Sequence, residues 1–278
     1  MNILQKLYRR KLAMLALLLA FLILIIAIAA PVITPFDPNE VAIAERLQAP
    51  SFQHWLGTDH LGRDILSRLI YGARVSVGSV IAILACILSL GFLVGCFSGY
   101  VGGRVDAALM RCCDVFLTFP TFILAMFLIG ILGTGLTNVI IAISLTHWAW
   151  YARLIRGFVL SLKNCDYILA ARVAGGSRLK IVLSHIIAPV FAQLVILSTL
   201  DIGHMMLHVS GLSFLGLGVP PPTPEWGVMI SDARQFLWTR PGMVIYPGLM
   251  IFLTVMSFNL LGDSLRDALD PTLEEKAI

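Results

Sequence analysis

Six long apolar runs constrain this chain more than any other feature. A bilayer core needs about 20 mostly apolar residues per helix. The runs 12–33, 75–100, 116–132, 136–155, 186–207 and 243–261 reach or approach that length. Backbone amides find no water inside lipid, so the runs must satisfy their hydrogen bonds internally, as helices do. The expectation is an all-α integral membrane protein with about six spans over residues 12–262. An N-terminal segment, 1–11, precedes them and a tail, 263–278, follows. Composition agrees, with 58% hydrophobic and 13% charged residues, where a soluble domain carries about 25% charged.

The first run follows Lys6, Arg9, Arg10 and Lys11, as a secretory signal would. It is longer than the usual 7–15-residue signal core and no small-residue cleavage site follows, so an uncleaved span is expected. Lys and Arg concentrate on the cytoplasmic side of membrane proteins. With the N-terminus inside, 14 of the basic residues fall in cytoplasmic segments and 6 in external ones. The cytoplasmic set includes Arg104, Arg111, Arg153, Arg156, Lys163, Arg172, Arg178 and Lys180; the external set is Arg46, Arg63, Arg68, Arg74, Arg234 and Arg240. Six spans then return the C-terminus to the cytoplasm.

Several chemistries have little support. The five cysteines form neither a disulfide framework nor a spaced zinc motif, and Cys112 and Cys113 are adjacent rather than C-x-x-C. A net charge of +4 with no basic cluster interleaved with aromatics gives nucleic-acid binding no footing. No G-x-x-x-x-G-K-[ST] loop occurs, so this chain has no nucleotide-hydrolysing site of that type. Nor is there an H-E-x-x-H metalloenzyme motif, a selectivity-filter motif or a clear internal repeat.

Two external segments are long. Residues 37–74 contain HWLGTDHLGRDILSRLIYGAR and predict a short surface helix around Asp64–Tyr71. Residues 211–241 carry Pro220, Pro221, Pro222 and Pro224 and cannot form one continuous helix. They serve either as connections or as a docking surface for an external partner.

Between the fourth and fifth runs lies a basic, polar segment, residues 163–185, containing NCDYILAARVAGGSRLKIVLSH. Asp166 starts a potential short helix that offers small Ala170 and Ala171 for close approach of a partner. Gly175 and Gly176 then end it, because glycine tolerates backbone angles closed to other residues. Arg172, Arg178 and Lys180 supply charge. An ordinary basic loop would read the same way.

This segment resembles the cytoplasmic coupling loop of ATP-binding-cassette importer permeases, whose alanine pair matches Ala170 and Ala171 and whose glycine matches Gly175. The likeness extends to His54–Ser76, Asp114–Thr121, Gly211–Val219, Glu225–Ile230 and Phe258–Pro271, which are similar to the dipeptide, oligopeptide and nickel branch of that family. Asp166 stands where this branch usually has glutamate. The usual Leu-Pro after the loop appears as Ile187, Ala188 and Pro189. The resemblance implies a type I importer permease fold with a cytoplasmic coupling helix, in a bacterial inner membrane. It further implies a second homologous permease, two ATP-binding subunits that use ATP and Mg, and an extracytoplasmic substrate-binding protein. It implies no cofactor on this chain.

For cargo, the informative run is LDIGHMMLH, residues 200–208. Asp201, His204 and His208 stand at i, i+3 and i+7 and share a helix face. Ionisable groups at membrane depth usually face a bundle interior or aqueous path, and neutral imidazole suits Ni²⁺. Transient metal contact at His204 and His208 is one reading, with Met205, Met206 and His147 along the path; helix–helix hydrogen bonding and packing is the other. THWAWYARLIR (146–156) and residues 200–218 are more similar to nickel-import than to peptide-import permeases. Nickel, as ion or small chelate, is the expected cargo and peptide the alternative. From a different class, an ATPase-independent channel or secondary transporter remains open.

Overall fold

The computed structural model describes residues 11–269, apart from the side chains at 178, 179 and 269. The expected N-terminal segment up to residue 10 and the tail from 270 lie outside the described residues. What is described is helical: α1 (Lys11–Ile33), α2 (Ile65–Val101), α3 (Gly103–Thr118), α4 (Thr121–Leu132), α5 (Leu136–Leu162), α6 (Asp166–Val173), α7 (Arg178–Ile181), α8 (Ile187–Phe214), α9 (Trp226–Ala233) and α10 (Gly242–Leu269). A π-helical turn, Val182–Ile186, joins α7 to α8. Contacts divide the described residues into two compact units, one of residues 11–82, 128–140 and 199–269, the other of Ile83–Phe127 and Ile141–Ser198.

In the first unit α1 packs against α10. Its buried side is Ala13, Ala16, Ala20, Ile23, Ala27 and Ala30, spaced alternately by three and four. Small residues in that rhythm let two helix backbones approach, the usual solution where lipid supplies no hydrophobic drive between helices. Leu12, Leu15, Leu18, Phe21 and Leu22 are exposed on the other side, as a lipid-facing surface requires.

The segment from Thr34 to Asp64 folds over the start of α2 as a cap held by buried charge. Asp59 accepts from the Leu61 and Arg63 amides at 2.8 and 3.0 Å and from Arg63 Nε at 2.6 Å. Arg68 donates to the carbonyls of Pro38 and Pro222 at 2.9 and 3.1 Å. His54 sits between Asp64, at 2.9 Å, and Glu45, at 3.3 Å. Such groups survive burial only when paired and hydrogen-bonded. Gly62, at φ 80°, turns so tightly that a Cβ would lie 1.8 Å from the Ala42 carbonyl oxygen.

Glu225 locks α9 in place. Its carboxylate accepts from the Val228 amide at 3.0 Å, capping α9, and from Ser76 and Ser210 at 3.0 and 3.3 Å. Trp226 donates to the Leu69 carbonyl at 3.1 Å. Gly227 abuts α8, where a Cβ would meet the Ser210 carbonyl oxygen at 2.3 Å. The Glu-Trp-Gly triplet therefore bolts α9 to α2 and α8.

In the second unit α2 and α5 touch through Gly91, Gly95 and Gly99. A Cβ at each would come within 2.6 Å of Tyr151, 2.5 Å of the Ala152 carbonyl oxygen and 2.9 Å of Val159. This small-xxx-small stripe brings the two backbones together.

By length and composition four helices among the described residues suffice to cross a membrane: α1, α2, the helix Val182–Phe214 and α10. The structure departs from the sequence expectation in several places. The run 116–132 is not one helix: α3 and α4 meet at 87°. Phe119 is extended at ψ 141° because Pro120 disfavours the helical region in the residue before it. Counted as one broken span, the pair makes a fifth. α5 is long enough, at 27 residues, but Asn138, His147, Arg153 and Arg156 leave it less apolar than the others. The short helix expected at Asp64–Tyr71 is instead the first two turns of α2, whose first turn Asp64 caps by accepting the Ser67 amide at 2.7 Å. The fifth run does not end at residue 207 but continues to Phe214.

Candidate functional site

Two groups of residues carry candidate function, one in each unit. In the second unit α5 ends at Leu162 and the chain turns into the eight-residue α6. Asp166 lies in the first turn of α6 and Arg172 in the last, the charge order that complements a helix dipole. Ile168 is fully buried and anchors the helix, while Leu169, Ala170 and Val173 face out. Gly175, at φ 81°, provides the left-handed residue that ends it, donating its amide to the Arg172 carbonyl at 3.0 Å. Gly176 donates to Ala171 at 3.0 Å. A Cβ on Gly176 would meet that same oxygen at 2.8 Å. The result is a short helix that exposes Leu169, Ala170 and Val173 beside Asp166, Tyr167 and Arg172, a mixed surface that a partner could cover.

Beneath it lies an ionic network that sequence reasoning missed. Arg156 of α5 grips Asp106 of α3 with Nε and Nη2 at 2.5 and 2.6 Å, a bidentate pair. Ser98 of α2 donates to the same carboxylate at 2.5 Å. Lys163 Nζ donates to the Gly99 carbonyl at 3.0 Å, and Arg153 pairs with Asp114. Asp106 and Arg156 are 50 residues apart, so no local pattern announces the pair. The network ties the end of α5, from which α6 hangs, to α2 and α3.

In the first unit, α8 carries the acid–histidine face. Asp201 is buried and its Oδ1 lies 3.3 Å from Nδ1 of the exposed His204. His208 Nδ1 lies 2.8 Å from the His204 carbonyl oxygen. A carbonyl oxygen only accepts, so His208 Nδ1 carries the proton of this bond, and in the neutral ring the lone pair falls on Nε2, the form that ligates a transition metal. A carboxylate behind the imidazole is also the arrangement that orients metal-binding histidines. Met205 and Met206 are fully buried and pack inside the unit. Gly203 lies against α10, where a Cβ would stand 3.0 Å from Asn259 Oδ1. His147 belongs to the other unit and rests against Trp150 and Tyr151, with ring centroids 5.8 and 6.0 Å away. Trp148 turns instead to Phe116. Among the described residues no three His, Cys, Asp or Glu converge as a closed metal site.

Residues 88–275 match the family described as binding-protein-dependent transport system inner membrane component. The chain belongs to that family. Residues 2–50 match the N-terminal transmembrane domain of oligopeptide transport permease C. The nickel transport system permease protein NikC of Escherichia coli K12 is 55% identical over 259 residues, 93% of this chain and 94% of that protein. The metal-staphylopine import system permease protein CntC of Staphylococcus aureus is 43% identical over 99% of this chain and 96% of its own length. The dipeptide transport system permease protein DppC of Alkalihalophilus pseudofirmus is 40% identical over 97% and 89%. This inner membrane component is therefore a membrane-embedded transport subunit rather than an enzyme. The family match spans both α6 with its ionic support and the acid–histidine face of α8.

Proposed function

We propose that this chain is a permease subunit of an ATP-driven importer that passes nickel, as the ion or a small chelate, across a bacterial inner membrane. The observation that carries this reading is 55% identity over nearly the whole chain to a nickel transport permease. It pairs with a second, homologous permease, two ATP-binding subunits and an external substrate-binding protein. ATP and Mg act on the ATP-binding subunits, and this chain holds no cofactor of its own. The lysine and arginine distribution supports a topology with both termini, and α6 with them, in the cytoplasm.

In this mechanism α6 is the lever. An ATP-binding subunit seats against Leu169, Ala170 and Val173, with Asp166, Ala171 and Arg172 on the same short helix and Gly175 and Gly176 fixing its end. Closure of the ATPase pair pushes α6, and the push passes through Lys163, Arg156 and Asp106 to α2, α3 and α5. Helices joined by bidentate ion pairs and glycine contacts move as a body rather than bending. Cargo meets exchangeable ligands along the path. Nε2 of His204 and His208 offers transient contacts, Asp201 orients the first ring, and Met205 and Met206 pack behind them. A closed site would hold nickel too tightly to release it.

Peptide import is the second reading, favoured by 40% identity to a dipeptide permease; the metal-staphylopine relative favours a chelated cargo. Uptake of radiolabelled Ni²⁺ by cells carrying the complete transporter, against an ATPase-dead control, decides among them. Nickel accumulation that needs ATP and resists dipeptide competition is expected, with stimulation by free histidine if a chelate is the cargo. An assembled complex that accumulates labelled dipeptide and no nickel overturns the metal reading.

A further inference from the structure

Three helix ends meet in the second unit. α2 runs out at Tyr100 and Val101, α5 is followed by Lys163, and the chain leaves α6 through Gly176 towards α7. They border an open cleft of about 580 Å³ lined by Tyr100, Val101, Lys163, Arg172, Gly176 and Ile181. Tyr100, Val101 and Lys163 lie where the long helices α2 and α5 stop, and Ile181 directly precedes the apolar helix Val182–Phe214, so the cleft borders the ends of three long helices, two of them candidate spans. Its walls are of two kinds. Val101, Ile181 and the Tyr100 ring are largely apolar, and tyrosine is enriched at this depth. Lys163 and Arg172 are cationic, and among the described residues no carboxylate lines the cleft. Asp106, the acidic group whose field reaches Lys163, is already gripped by Arg156 at 2.5 and 2.6 Å and by Ser98 at 2.5 Å. Lys163 spends one of its three donors on the Gly99 carbonyl at 3.0 Å, which fixes the ammonium beside the end of α2.

A pair of cations with no carboxylate beside them in the cleft among the described residues, set next to apolar walls at the ends of candidate spans, fits a phosphate that carries hydrocarbon. We propose that this cleft binds the phosphodiester of an anionic phospholipid, with the phosphate at Lys163 and Arg172 and the first carbons of the acyl chains against Val101 and Ile181. Basic pockets between helix ends on the cytoplasmic side of a membrane serve such headgroups, and each cation near that surface strengthens the attraction. Bound lipid would wedge between the end of α2 and the exit from α6, so that membrane composition acts on the same segment the ATPase pushes. The site uses the membrane boundary and not the cargo, so it stands or falls apart from the nickel reading.

The test uses the complete transporter in phosphatidylcholine nanodiscs containing a small fraction of photoactivatable phosphatidylglycerol. After illumination, label is mapped by peptide mass spectrometry. Label at residues 100–101 and 176–181 is expected, displaced by unlabelled phosphatidylglycerol and not by added phosphatidylcholine. Displacement by inorganic phosphate alone would make this a free-phosphate site and overturn the lipid assignment. Lys163→Gln combined with Arg172→Gln, in complexes that still assemble, is expected to lower labelling about tenfold. Label spread evenly over apolar helix faces in the wild type overturns the proposal without recourse to any variant, as does unchanged labelling in the double variant.

Discussion

At the scale of single residues, the Asp106–Arg156 pair is the contact most open to test. Hydrogen bonds to charged groups contribute about 1.5–3 kcal/mol, and a stranded partner costs more than the bond is worth. Asp106→Asn is expected to lower the melting temperature of the detergent-solubilised complex. Asp106→Asn with Arg156→Gln should lower it no further, because the two residues act as one unit; additive losses would mean that the pair is not coupled. The acid–histidine face is tested by uptake. His204→Ala with His208→Ala is expected to abolish most nickel accumulation while assembly is retained. Asp201→Asn, which leaves the rings in place but weakens the acceptor behind His204, should reduce it by about tenfold or more if the imidazole touches metal. Normal uptake by the assembled double variant would reduce these histidines to helix packing. The face itself was legible from i, i+3, i+7 spacing. The burial of Met205 and Met206 was not, because spacing along one helix does not say which side its neighbours occupy.

At the scale of elements, the coupling role proposed for α6 can be tested apart from folding. Ala170 is exposed, so Ala170→Trp adds bulk without disturbing the buried Ile168 anchor. The variant is expected to insert normally and to lose ATP-driven uptake and cargo-stimulated ATPase activity together. An uptake rate within twofold of wild type would remove α6 from the drive train. α9 behaves oppositely. Gly227→Ala sets a Cβ 2.3 Å from the Ser210 carbonyl oxygen, and backbone against backbone has little room to yield. Poor recovery of the membrane-inserted chain is expected, measured as fluorescence-detected size-exclusion yield. Sequence motifs mark both segments, but the prolines of residues 211–241 indicate only a connection or a docking surface. Buried Glu225 turns part of that stretch into a bolt, through Ser76, which precedes it by 149 residues.

At the scale of the whole molecule, the proposed importer needs more than this chain. Reconstituted alone, it is expected to show no nickel flux; with its ATP-binding and permease partners, flux should appear and follow ATP. Flux from the isolated chain would favour a channel or secondary transporter. Cysteine labelling at residues 166 and 240 from opposite sides of sealed vesicles checks the orientation, with the first expected to react only from the cytoplasmic side.

Apolar run length, charge bias and ordered motifs determined by themselves that this chain is a helical membrane protein, and the same motifs pointed to its family. They did so because solvation in a bilayer acts on local composition, which any window of sequence displays. Tertiary structure alone decided where helices break, which small residues are contacts and which charges are paired. The kink before Pro120 divides a run that composition reads as continuous, and Gly91, Gly95 and Gly99 matter only because Tyr151, Ala152 and Val159 lie opposite. Arg68 with the Pro222 carbonyl, Glu225 with Ser76 and Asp106 with Arg156 are buried or part-buried polar contacts whose partners are chosen by the packing of segments distant in sequence. That choice rests on distance and desolvation in three dimensions, and a linear pattern carries neither.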